Sequence, residues 1–144
     1  MTLLTHRGQG PGFVYAGQPI HVLAGQDGLP AGFAAMELTV PPHFAGPIPH
    51  AHDEFDEAIY VLSGRLLVHG DDKPAEAVPG SLFVAPRGHR HGFSNPSAER
   101  ALVLGIWAPP EPALAFMREV MRGISAPIDP PGRPGVALRG WRGG

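Results

Sequence analysis

The stretch Gly46-Pro-Ile-Pro-His50-Ala-His52-Asp-Glu-Phe-Asp-Glu57-Ala-Ile-Tyr-Val-Leu-Ser-Gly64 decides how the rest of the chain is read. His50 and His52 are two apart, so an extended strand sets both imidazoles on one face. The acidic turn over 53–56 reverses the chain, and Glu57 opens a second strand, Ala-Ile-Tyr-Val-Leu. Two imidazoles on one strand facing a carboxylate at the root of the next make a metal half-site of nitrogen and oxygen ligands. A His-rich loop on a strand edge would read the same way. His-x-His alone does not choose between them.

A second stretch, Gly80-Ser-Leu-Phe-Val-Ala-Pro86-Arg-Gly88-His-Arg-His91-Gly-Phe-Ser-Asn95, gives a turn glycine, an apolar strand, a Pro-x-Gly turn and a histidine entering another strand. Together the two stretches resemble the cupin superfamily. The first cupin motif reads through His50, His52, Glu57 and Gly64, and the second through Gly80, Pro86, Gly88, His91 and Asn95. One departure is that the leading glycine of the first motif usually lies farther upstream than Gly46. It touches no ligand position.

Working outward, 144 residues suffice for one domain with its own core. There is no cysteine, which excludes disulfides and thiolate metal sites and leaves His and carboxylate as ligands. A net charge of -2 gives no electrostatic footprint for nucleic acid. No apolar run reaches membrane-spanning length, and the N-terminus is too polar for a secretory signal, so a cytoplasmic protein without a membrane partner is expected. The 20 glycines and 18 prolines would suit disorder, but 43% hydrophobic residues argue for turn-rich β structure instead.

Short apolar runs punctuated by Gly or Pro place strands near 19–24, 33–40, 48–52, 57–62, 65–69, 75–78, 82–85, 91–93 and 99–107. Such a pattern reads as an all-β sandwich or barrel. On the strand after the acidic turn, Glu57, Ile59 and Val61 face one side, with Ala58, Tyr60 and Leu62 on the other. Leu114, Met117, Met121 and Ile124 recur at helical spacing, joined by Phe116 and Val120. They predict one helix over about 113–122, packed on the outer face of the barrel. Glu111 and Pro112 suit its start and Gly123 its end. The expected organisation is an N-terminal arm over 1–19, the barrel over 20–108, the helix over 109–125 and a Pro/Gly-rich tail over 126–144. The fold that the resemblance implies is all-β: a double-stranded β-helix (jelly-roll) barrel with one C-terminal α-helix.

The resemblance also implies the site. His50, His52, Glu57 and His91 would hold one divalent transition metal ion, with Fe, Ni, Co, Mn, Cu and Zn all compatible with imidazole and carboxylate ligands. Three His and one carboxylate leave coordination positions open for water, substrate or dioxygen, as catalytic sites do. The phrases around His50 and Glu57 resemble small quercetin dioxygenase-like cupins. A metal-dependent dioxygenase acting on a small enolisable or aromatic hydroxy-ketone is therefore expected, with Glu57 as ligand and base. The alternative is a non-oxidative metal cupin (an isomerase or cyclase) or a small-molecule-binding protein. His43, His89, Phe93 and Met36 are candidate pocket residues, His89 set behind the ligands, and Asn95 is expected to hydrogen-bond a turn. Family habit implies a homodimer.

Overall fold

Ile59 and Val61 are all but inaccessible to solvent while Tyr60 and Leu62 between and beside them are exposed, so the strand after the acidic turn has the alternation its sequence predicts. That strand belongs to a computed structural model that describes residues 2–10, 12–15, 18–26, 28–46, 49–125 and 142–143. Its elements are β1 (Gly12–Tyr15), β2 (Gln18–Ala24), β3 (Ala34–Val40), β4 (His50–Ala51), β5 (Asp56–Ser63), β6 (Leu66–His69), β7 (Ala75–Ala77), β8 (Leu82–Ala85), β9 (Gly92–Ser94), β10 (Ala101–Ala108), α1 (Pro110–Ser125) and β11 (Arg142–Gly143).

All strand pairs are antiparallel. One sheet has the order β1-β2-β3-β10-β5-β8, a second β7-β6-β9, and β11 pairs with β4. The non-consecutive neighbours, β10 between β3 and β5 above all, are the crossovers of a jelly roll rather than a meander. The inward faces meet in one core: Ile20 and Val22 from β2, Met36, Leu38 and Val40 from β3, Ile59 and Val61 from β5, Leu66 from β6, Phe93 from β9, and Val103 and Trp107 from β10. Each such Val, Ile or Leu contributes roughly 1.5–3 kcal/mol on burial. The barrel is therefore held by its own apolar interior.

Two glycines are required by close contact, and Gly46 by its turn geometry as well. Gly46 has φ 85°, and a Cβ there would stand 1.6 Å from the Phe93 carbonyl oxygen. The Trp107 ring lies over Gly105, where a Cβ would come within 2.0 Å of it.

Three expectations about placement change. The sheet begins inside the segment read as an arm: β1 lies at Gly12–Tyr15 and β2 starts at Gln18, where glycines hide the strand signal. The helix starts at Pro110, three residues before the 113–122 read from its apolar stripe and within the 109–125 segment expected for it, since proline suits a first helical turn. It also does not simply lie on the outer face, because Ala113 and Leu114 join the barrel's core cluster. The tail over 126–144 lies outside the described residues except for 142–143. No helix among the described residues is long and apolar enough to cross a membrane.

Candidate metal centre

His50 and His91, far apart in sequence, exchange both backbone hydrogen bonds, each N–H to the other's carbonyl at 2.8 Å. The Pro86-Arg87-Gly88 turn is then clipped to the first motif by the Gly88 N–H, which donates to the His52 carbonyl at 2.7 Å. Gly88 has φ 82°, a conformation that glycine adopts without strain. Arg87 completes the clip: its backbone N–H, Nε and Nη2 donate to the Asp56 carboxylate at 2.9, 3.2 and 3.1 Å. Asp56 heads β5, so the same turn fixes the root of the strand that carries Glu57. In the sheet Glu57 stands between Trp107 of β10 and Ala85 of β8.

These backbone contacts bring four polar side chains into the barrel end, with exposures of 6% for His50, 2% for His52, 8% for Glu57 and 5% for His91. The ligand atoms of His50, His52 and His91 all lie within 4.8 Å of one another. Glu57 adjoins two of the three: its Oε2 is 3.3 Å from His52 Nε2 and touches His91 Nε2.

The protonation pattern follows from the backbone. His52 Nδ1 is 3.0 Å from the Phe55 carbonyl oxygen and His91 Nδ1 is 2.9 Å from that of His89. A carbonyl only accepts, so each Nδ1 carries the hydrogen, and each neutral ring turns an Nε2 lone pair inward. Two lone pairs and a carboxylate oxygen thus face one another in a space shielded from water. His91 Nε2 makes no hydrogen bond despite touching Glu57. Such a set is stable only with a cation between its members, either a proton or a metal ion.

The proton version shows in the acidities. Burial pushes the Glu57 carboxyl up, but the His52 and His91 imidazoles beside it more than offset that and hold it at about 2. Burial pushes His91 down, yet the Glu57 carboxylate and the bond to the His89 carbonyl carry it above its ordinary value. The metal version needs little movement. First-row ions take bonds of about 2.0–2.2 Å, which puts their ligands about 3–4 Å apart. The residues fit a divalent ion, and the backbone carbonyls on Nδ1 are the orienting partners that metal-bound histidines keep.

Residues 36–107, half of the chain, match the cupin domain family. The chain belongs to the cupin family. Among solved structures, this cupin is similar to the polyketide cyclase RemF from Streptomyces resistomycificus at 27% identity and TM-score 0.64, over 77% of this chain and 81% of that one. It is similar to a sugar phosphate isomerase from Silicibacter pomeroyi at 26% identity and TM-score 0.55, over 69% of each chain. KdgF from Halomonas sp., at 21% identity and TM-score 0.65, covers 79% of this chain and 99% of that one and shares the fold. A search of the curated proteins finds no significant match.

The candidate pocket residues of this cupin fare differently. His89 is exposed, and it serves the site through its carbonyl rather than its ring. His43 is exposed in the turn after β3, with φ 55°, and is not a member of the clustered histidines. Phe93 and Met36 are core, Phe93 packing near Phe44 and Phe83 with ring centroids 6.2 and 6.4 Å away. Asn95 ties turns: its Nδ2 donates to the carbonyls of Pro41 and Glu99, and its Oδ1 accepts from the Ser97 N–H and hydroxyl. Two aromatics beside the imidazoles escaped the sequence reading. Phe55 stacks on His52 with centroids 3.9 Å apart, and Phe116 of α1 lies 5.9 Å from His50 and 5.7 Å from His52. Phe55 left a signal, as the only apolar residue in an acidic turn. Phe116 did not stand out from its helical stripe.

Proposed function

We propose that this cupin is a metal-dependent enzyme that removes a proton from a small enolisable or aromatic hydroxy-ketone. His50, His52, His91 and Glu57 hold the ion, and Glu57 acts as the base. The observation that carries the reading is the convergence of three buried imidazoles, their ligand nitrogens within 4.8 Å of one another, beside the buried Glu57 carboxylate. A divalent ion bound there would supply Lewis acidity to the substrate's oxygens. Glu57 has two carboxylate oxygens, so it can serve as ligand through one and accept a proton at the other. Phe55 and the strands exclude water around it, which strengthens each charge interaction in the site.

Two outcomes share that first step. Ring closure or isomerisation needs no oxidant, and the resemblance to a polyketide cyclase and a sugar phosphate isomerase supports it. Dioxygenation is the second reading, supported by the quercetin dioxygenase-like phrases around His50 and Glu57, and it makes dioxygen a co-substrate. Metal-loaded protein incubated with a panel of aromatic hydroxy-ketones in heavy water decides between them. We expect deuterium to enter the enolisable carbon without oxygen consumption. Oxygen uptake in step with substrate loss would instead establish the dioxygenase. Metal binding with neither exchange nor uptake across the panel would make the protein a binding module.

A further inference from the structure

Pro47 and Pro49 come just before His50 in the chain, and neither has an amide hydrogen to give to a neighbouring strand. The strand that opens the first motif is short, His50 and Ala51 alone. Its backbone bonds divide by edge. The His50 amide and carbonyl are both taken by His91, and the His52 carbonyl by the Gly88 amide. Successive residues of a strand send these groups to opposite edges, so His50 and His52 share one edge and Ala51 faces the other. On that other edge lies β11, antiparallel, with Arg142 registered on Ala51 and Gly143 on His50. Ala51 is 5% exposed, so its amide and carbonyl need a protein partner. The backbone of Arg142 is that partner.

We infer that β11 is a positioning strand of the metal site, holding His50 through the backbone of β4 from the edge opposite His91. A strand bonded along one edge can roll about it, and a roll at β4 carries the His50 imidazole along. Bonding along both edges removes that freedom. The three imidazoles then keep their ligand nitrogens within 4.8 Å of one another before any ion arrives. Support behind the ligands, rather than among them, raises metal affinity by holding their geometry. The inference rests on the proposed metal site and adds to it a support reached from far along the chain. Arg142 acts through its main chain.

The test uses the full-length protein and zinc(II), with affinity read by competition against a chromophoric chelator. Arg142→Pro removes the amide hydrogen opposite the Ala51 carbonyl, whereas Arg142→Ala keeps it. Arg142→Pro should weaken zinc about three- to tenfold, the scale of one backbone hydrogen bond, with Arg142→Ala within about twofold of the native protein. The Ala51 amide should be protected from hydrogen exchange in the metal-free native protein and exchange faster in Arg142→Pro. Native zinc affinity in Arg142→Pro, even with a lowered urea midpoint, would overturn the inference and leave β11 a packing strand. Equal weakening in Arg142→Ala, or an unprotected Ala51 amide in the native protein, would overturn it as well. Should Arg142→Pro not fold, Arg142→Gly, which loosens the strand's backbone, should weaken zinc in the same direction. Native protein that binds no zinc would refute the metal reading itself, while a protected Ala51 amide would still show the strand in place.

Discussion

Glu57 is the charged member of a set whose other members, as the His52 and His91 tautomers show, offer lone pairs, and its behaviour can be tested without knowing the substrate in advance. Glu57→Gln keeps the shape and an oxygen donor but removes the basic site. It should retain much of the metal and lose about 10²-fold or more in turnover, the scale for a positioned base. Full activity with metal retained would rule out that role. His50→Ala and His91→Ala should each abolish most metal binding, read by metal analysis after gel filtration, while far-ultraviolet circular dichroism still shows the barrel.

Acidity adds two signs at the same scale. His91 holds its proton above the ordinary imidazole value in the metal-free protein, so metal must displace a proton. Metal affinity should begin to fall already above about pH 6.5 and drop steeply below about pH 6, with protons released on binding that an unbuffered titration would count. Glu57 has the opposite sign. Its folded value of about 2 lies below the unfolded one, so its contribution to stability is present above about pH 4.5 and is lost as pH falls toward 2. Urea midpoints of the metal-free protein at pH 5 and pH 3 should differ more than those of Glu57→Gln.

At the scale of elements, the same backbone that forms the barrel aims the ligands. Strand parity was legible in sequence: Glu57, Ile59 and Val61 share the buried face because side chains alternate and the apolar ones follow Glu57 by even steps. The partnership of His50 with His91 was legible only through the two motifs, since no local rule pairs positions so distant. The clip from Gly88 to the His52 carbonyl was not legible, because a Pro-x-Gly turn does not say which carbonyl its amide will meet. Nor was the role of α1, since a stripe at helical spacing shows that a face is buried and not what buries it. Phe116 meets the histidines from that buried face. Asn95 offers a test of how elements are tied. Its amide serves the end of β3 and the loop leading to β10 from a fully buried position. Asn95→Ala would leave the Pro41 and Glu99 carbonyls short of a partner, costing upward of about 2 kcal/mol in urea unfolding. A change below about 0.5 kcal/mol would mean that water replaces the side chain there.

At the scale of the molecule, the outward face of β10, β5 and β8 is apolar over two registered rows. Ile106, Ala58 and Val84 form one row, and Leu104, Tyr60 and Leu82 the other. Leu82 and Val84 are 58% and 59% exposed, and β8 is the edge strand of its sheet. Single exposed apolar residues are ordinary, but a contiguous patch beside an unpaired edge invites association. Neither row contains a charged residue, so two copies can face each other across a twofold axis without burying a charge. We expect a second copy of this chain to cover the patch, forming a homodimer. Light scattering should give twice the 15.2 kDa chain mass. Leu82→Glu with Val84→Lys should reduce the mass to that of one chain while leaving metal content unchanged, since both side chains point away from the histidines. A native protein that runs as a monomer at micromolar concentration, or a double variant that still dimerises, would sink the assignment of this face.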